Sequence, residues 1–140
     1  MPFAWSEVNY WAAIVAGLAA FFVGGAWYQG LFGKLWVKLH GFSPEKVKEM
    51  QASMSPPKFF GGMLVSYIVL GFVLALLLSG LKEQGALVGA CTGFLVWLAV
   101  AAIGMTAHIA SDKVIGLYYI DVGCELIYLV LMGALLGAWR

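Results

Sequence analysis

The chain has 140 residues, of which 63% are hydrophobic and 11% charged, with a formal net charge of +1. Soluble domains run nearer roughly 45–50% apolar and 25% charged, so a chain this short could not cover its apolar surface with polar side chains in water. A soluble enzyme, a disordered tail and a basic nucleic-acid binder are excluded on those grounds, and two cysteines make no disulfide framework.

Four apolar runs follow in chain order. Tyr10 to Tyr28 is nineteen residues without a charge or an amide, and it predicts a helix over about 9–32. The leader MPFAWSEVNY lacks Lys and Arg and carries Glu7. The run is also longer than the roughly 7–15 apolar residues of a cleavable signal, so the helix is expected to stay. Phe59 to Leu81 and Gly85 to Ala107 are twenty-three residues each and predict helices over about 59–81 and 85–107. All three runs exceed the roughly 18 residues that read as a membrane span. Ile120 to Trp139 is interrupted by Asp121 and Glu125; with Tyr118 and Tyr119 as an interface mark, it predicts a fourth helix over about 118–139. The fold class is all-α, a four-helix transmembrane bundle in a single domain.

The connections carry further detail. Lys82-Glu83-Gln84 between Gly80 and Gly85 reads as a tight turn that makes the second and third spans antiparallel neighbours. In the long first loop, Ser43-Pro44-Glu45 is a helix start, with an N-cap hydroxyl, Pro at the first helical position and an acid in the first turn. Val47, Met50 and Met54 then recur opposite Lys46, Lys48 and Glu49, and Pro56-Pro57 ends the pattern. This predicts a short amphipathic helix over about 44–54 lying on the membrane surface, with partner docking as the other reading.

Six of the eight cations (Lys34, Lys38, Lys46, Lys48, Lys58 and Lys113) fall in the first and third loops; Lys82 and Arg140 share the other side with both termini. The bias places the two larger loops in the cytoplasm and both termini outside it. Trp5, Trp11 and Trp139 then form the outer aromatic belt, and Trp27, Tyr28, Trp36, Phe59, Phe60, Tyr118 and Tyr119 the inner one.

Eighteen glycines suit a bilayer, where small residues let helix backbones approach. Gly85, Gly89 and Gly93 form a stripe on the third span, Gly133 and Gly137 one on the fourth, and Ala13-Gly17 with Ala20-Gly24 one on the first. The lipid bilayer is the expected partner. One stripe is left over for a homo-oligomer, and no protein partner is named by the sequence. Cys91 and Cys124 differ in height by roughly 10 Å, too far for a disulfide within one chain, and read as small buried hydrophobes.

The chemistry gathers on the fourth span. Asp121, Cys124, Glu125 and Tyr128 stand at i, i+3, i+4 and i+7, hence on one helix face. An acid at the centre of a span costs roughly 2.5–3.5 kcal/mol on insertion scales, so these two need a reason to be there. Asp121, within a turn of the interface, is expected to snorkel or to pair with Lys34, Lys58 or Lys113. Glu125 lies deeper, and the pair is expected to share one proton. Gln29, Ser66, Tyr67, Thr106 and His108 fall in the same half of the membrane, so the expected polar cluster is Asp121, Glu125, His108, Tyr128 and Gln29. One His and no close-spaced ligand motif make a weak metal signal; no metal, cofactor or catalytic residue is nominated.

Asn9-Tyr10-Trp11, the run Gly25-Ala26-Trp27-Tyr28 leading to Leu31-Phe32-Gly33-Lys34-Leu35-Trp36, Gly41-Phe42-Ser43, His108, Ile120-Asp121 and the closing Gly133 to Trp139 resemble the bacterial membrane proteins of domain-of-unknown-function family 1761. The resemblance covers nearly the whole chain, and its most specific part is the aromatic-Phe-Gly-Lys-aromatic stretch. It implies a small four-helix membrane protein and brings no activity or site residues; the bacterial inner membrane is the expected location. The porphyrin-binding tryptophan-rich sensory proteins share an aromatic flavour, but their five helices do not fit.

Two functional readings follow. The first is a structural or accessory bundle whose polar cluster is satisfied internally or by a partner. The alternative is a proton- or cation-linked small-solute translocator using the intramembrane acidic pair.

Overall fold

A computed structural model describes residues 5–31, 33–41, 43–53, 56–81, 85–111 and 115–139. The 82–84 turn, Met54, Lys113 and Arg140 lie outside them. Among the described residues the chain is helical throughout, without strands. After a short turn at Trp5–Glu7 come α1 (Tyr10–Gly25), a wide π-helical turn (Ala26–Leu31), α2 (Gly33–His40), α3 (Pro44–Ser53), α4 (Pro56–Ser79), α5 (Ala86–Ser111) and α6 (Ile115–Ala138). Four segments are long and apolar enough to cross a membrane: Tyr10–Tyr28, Phe60–Ser79, Ala86–Ser111 and Ile115–Ala138. The protein is a four-helix membrane bundle.

Local chemistry sets several element ends. Asn9 caps α1, its side-chain oxygen accepting from the Ala12 N–H at 3.1 Å. Ser43 does the same for α3, accepting from Lys46 N–H at 3.1 Å, with Pro44 as the first helical residue and Glu45 in the first turn. Gly41, at φ 72°, ends α2 in the left-handed region, where a residue without Cβ carries no steric cost. α2 itself is a helix that the residue pattern does not single out. Its Leu39 reaches α6, where a Cβ on Gly116 would lie 3.0 Å from the Leu39 side chain.

The spans pack mainly as two pairs of chain neighbours, α1 on α4 and α5 on α6, joined where α1 and α4 meet the back of α6. Contact between α4 and α5 is slight, so the turn between them does not make them close partners. Small residues explain the pairing. Ala12, Ala13, Ala16, Gly17, Ala20 and Gly24 are the buried stripe of α1. A Cβ on Gly17 would meet the Ile68 backbone at 2.8 Å, and one on Gly71 the Ala13 carbonyl oxygen at 2.6 Å. The second pair is tighter. A Cβ on Gly89 would lie 1.8 Å from the Gly133 carbonyl oxygen, one on Gly137 2.2 Å from that of Gly85, and one on Gly93 2.2 Å from that of Leu129. The Gly85 N–H also donates across the pair to Gly137 O at 3.2 Å. With little hydrophobic force between helices in lipid, such backbone approach supplies the dispersion contact that holds them.

The central core lies among α1, α4 and α6, where Leu74, Leu78, Leu129, Met132 and Leu136 are buried against the α1 alanines. Leu87, Leu95, Ile103, Val65 and Phe22 point outward, as lipid-facing side chains do. Cys124 is buried, but Cys91 is exposed on α5, correcting the expectation that both are interior. The glycine stripe that turns α5 toward α6 leaves Cys91 on an outward face. Asn9 Nδ2 lies 3.5 Å from the Trp139 carbonyl, which brings both ends of the chain to one end of the bundle.

Candidate functional site

The polar groups converge at the opposite end, around the first half of α6. The first span changes pitch there. A π turn carries more residues per turn than an α-helix and is used in single turns, often where function resides. In the turn Ala26–Leu31, Trp27 and Tyr28 both reach α6. The Trp27 indole N–H donates to Ile120 O at 3.0 Å, and the Tyr28 hydroxyl to Asp121 Oδ1 at 2.5 Å. Gly123 leaves room for the indole, since a Cβ there would sit 3.2 Å from Trp27 Cζ2.

From the other side, the Trp97 indole of α5 donates to Val122 O at 2.8 Å. The Tyr118 hydroxyl of α6 returns the gesture to Ala101 O at 2.6 Å. Each carbonyl has a second lone pair for such a donor besides the one used within its helix. α6 is thus held by aromatic N–H and O–H groups on both flanks, level with its two acids.

Asp121 and Glu125 are one turn apart and differ in kind. Asp121 accepts a hydrogen bond from Tyr28; among the described residues neither Lys34 nor Lys58 reaches it, and Lys113, the third expected partner, lies outside them. A phenol donor has the advantage of bringing no second charge to desolvate. Glu125 is half-buried, and among the described residues no hydrogen bond or ion pair reaches its carboxyl group. Both acids line a cleft of about 490 Å³ between α5 and α6. Val100, Ile103, Gly104 and Ala107 form its apolar wall, and His108, Ser111 and Tyr118 its end. The His108 and Tyr118 rings lie 5.6 Å apart.

The structure therefore brings three of the expected cluster residues, His108, Asp121 and Glu125, to one cleft. Tyr128 turns away from it and meets Tyr67 of α4 edge-on, with ring centroids 5.2 Å apart. Gln29 belongs to the π turn, and its side chain lies outside the described set. The residues that sequence reasoning missed are Tyr28, Trp27, Trp97 and Tyr118, which read as belt or core aromatics. The signal that would have found them is their depth, level with the acids and their carbonyl neighbours. Among the described residues no three His, Cys, Asp or Glu side chains are grouped closely enough to hold a metal ion. The buried polar side-chain atoms among them all have partners.

A family model described as protein of unknown function (DUF1761) matches residues 11–137, a stretch that includes Tyr28, His108, Asp121 and Glu125. Neither the curated proteins nor the solved structures compared with the chain give a match.

Proposed function

We infer that this chain, which belongs to the DUF1761 family of proteins of unknown function, is a proton- or cation-linked carrier of the membrane whose working group is Glu125. One observation supports this reading above all: the Glu125 carboxyl lines a cleft and has no hydrogen-bond partner among the described residues, while its neighbour Asp121 accepts from Tyr28. A purely structural bundle gains nothing from an unpartnered acid in a span, and the insertion cost of roughly 2.5–3.5 kcal/mol for an acid at the centre of a helix calls for a return. A cation or water that enters the cleft would meet the charge of the ionised carboxyl. Glu125 can then cycle between the acid and a paired carboxylate. Asp121 and Tyr28 hold one wall of the cleft in place, and His108 stands between Glu125 and the end of α5.

The test is proton movement in liposomes carrying an internal pH-sensitive dye. Wild-type protein is expected to relax an imposed pH gradient faster than protein-free liposomes, and Glu125→Gln to lose that excess while running as the same species on size exclusion. Wild-type liposomes indistinguishable from empty ones would end the carrier reading.

The bias of lysines toward one end supports an inner-membrane orientation with the first and third loops in the cytoplasm and both termini outside. The glycine packing residues Gly17, Gly24, Gly85, Gly89, Gly93, Gly133 and Gly137 are, on this reading, the rigid frame of the site. A second reading, an accessory bundle, draws on α5, which packs almost wholly on α6 and leaves Leu87, Leu95 and Ile103 outward for another span. It predicts a second membrane protein, or a second copy of this chain, co-purifying in mild detergent and lost on Leu95→Lys.

A further inference from the structure

We propose that the α5–α6 cleft binds a lipophilic organic monocation drawn from the bilayer, with its charge on Glu125 and its apolar body against Val100, Ile103 and Ala107. The proposal rests on the carrier reading above and supplies its substrate class.

Size and lining select the ligand. The cleft is a half-open groove of about 490 Å³, far more than a bare ion occupies. Calcium takes 6–8 oxygen ligands and magnesium a near-ideal octahedron, whereas this cleft offers two carboxyl groups on one helix and no metal-binding group among the described residues. An anion would meet Asp121 and Glu125. A neutral molecule would fill the apolar wall and leave Glu125 as it was. An organic cation satisfies both parts: charge meets the Glu125 carboxyl, and hydrocarbon meets Val100, Ile103 and Ala107. The Tyr118 ring, fixed by its bond to Ala101 O, adds a π face at the end of the cleft.

The route of entry is sideways. Ile103 is 72% exposed, and Ala107 and Ser111, each one turn further along α5, are exposed as well. This rim belongs to a span, so on the carrier reading it faces lipid. A cation that partitions into the bilayer reaches the cleft without crossing the packed core.

Binding is an exchange. Where Glu125 is protonated, its carboxylic acid and one monocation give a carboxylate–cation pair and one released proton, so charge in the site is unchanged. Among the described residues the titratable groups around Glu125 are Asp121, Cys124 and Tyr128 on its own helix, Tyr28 from the first span, Tyr67 from α4 and His108 from α5. Of these, Asp121 is already engaged by Tyr28, which leaves Glu125 as the group that exchanges.

The experiment is equilibrium binding of tetraphenylphosphonium to the full chain in lipid nanodiscs, with proton release recorded in weakly buffered solution. Wild-type protein should bind it saturably and release about one proton per cation, with affinity falling about tenfold for each unit of acidification where Glu125 is protonated. Triphenylphosphine oxide, a neutral analogue, should not compete. Glu125→Gln should weaken binding at least tenfold. Val100→Trp, at a half-buried position on the cleft wall, fills the cleft, keeps both acids and should do the same. Absence of saturable binding to wild type, equal competition by the neutral analogue, or undiminished binding by Glu125→Gln would each overturn the proposal. The first and second need no variant to fold. If protons still move through wild-type liposomes when tetraphenylphosphonium does not bind, the organic ligand is wrong and the carrier reading stands. If neither occurs, both fall.

Discussion

The Tyr28 hydroxyl and the Asp121 carboxylate meet across 93 positions of sequence, from the π turn that ends the first span to the second turn of the last. The bond turns an acid that would otherwise be a liability into a fixed part of the wall beside Glu125. Among the described residues no other donor reaches Asp121, so removing the hydroxyl leaves the carboxyl in the span without a described partner, which costs more than the bond itself contributes.

Tyr28→Phe should therefore lower stability by about 1–3 kcal/mol, read as a drop in the thermal melting point of detergent-solubilised protein. Asp121→Asn should cost less, since an amide oxygen still accepts from Tyr28 and carries no charge to desolvate. A double-mutant cycle over the pair should show a coupling energy well away from zero. Additive effects of the two substitutions would mean that the bond contributes nothing.

Gly89→Ala should be among the most damaging small changes in the chain. Its Cβ would sit 1.8 Å from Gly133 O, against backbone that cannot rotate aside, so α5 must part from α6. Overpacking on this scale costs about 1–3 kcal/mol or more. Gly25→Ala, where a Cβ meets nothing within 4 Å, should be neutral or slightly stabilising, because it removes only the helix penalty of glycine. Melting points of the two variants in one detergent give the comparison, and equal values would refute the close approach.

Trp97→Phe should cost about 0.5–1.5 kcal/mol, the net worth of one hydrogen bond between neutral groups. The Val122 carbonyl it leaves behind keeps its bond within α6, so no unsatisfied polar group results. The loss should thus be smaller than that of Tyr28→Phe. The reverse order of melting points would contradict the distinction drawn between a carbonyl with a second partner and a carboxylate with one.

Lys46→Cys, on the exposed face of α3, should react with a membrane-impermeant maleimide only when the cytoplasmic side is opened. The native thiols Cys91 and Cys124 lie within spans and need not be removed. Labelling in intact cells would reverse the orientation.

The four spans were legible because length and hydropathy are one-dimensional: twenty apolar residues cross a bilayer whatever they pack against. The α3 start was equally plain, since Ser43, Pro44 and Glu45 each act on their own turn. What could not be read was lateral. Charge alone pointed Asp121 toward lysines, and nothing in the sequence marks Tyr28, which resembles any other belt aromatic, as the donor that reaches it. The π turn carries no Pro and no unusual composition that would announce it. Cys91 and Cys124 look alike as letters, and only the rotation of each helix decides that one faces outward and the other the core. The divided fate of Asp121 and Glu125 belongs to the same class, because i and i+4 share a face but not its edge.

The pairing of spans with their chain neighbours has a consequence for how the protein is made. α1 and α4 can join as a hairpin while α5 is still being synthesised, and the glycine seam lets α5 and α6 join as another. Tyr28 belongs to the first hairpin and Asp121 to the second. Their bond closes only when the final span has docked, so the carboxyl site is the last part of the molecule to exist. A chain halted before α6 would hold its first hairpin and none of its chemistry.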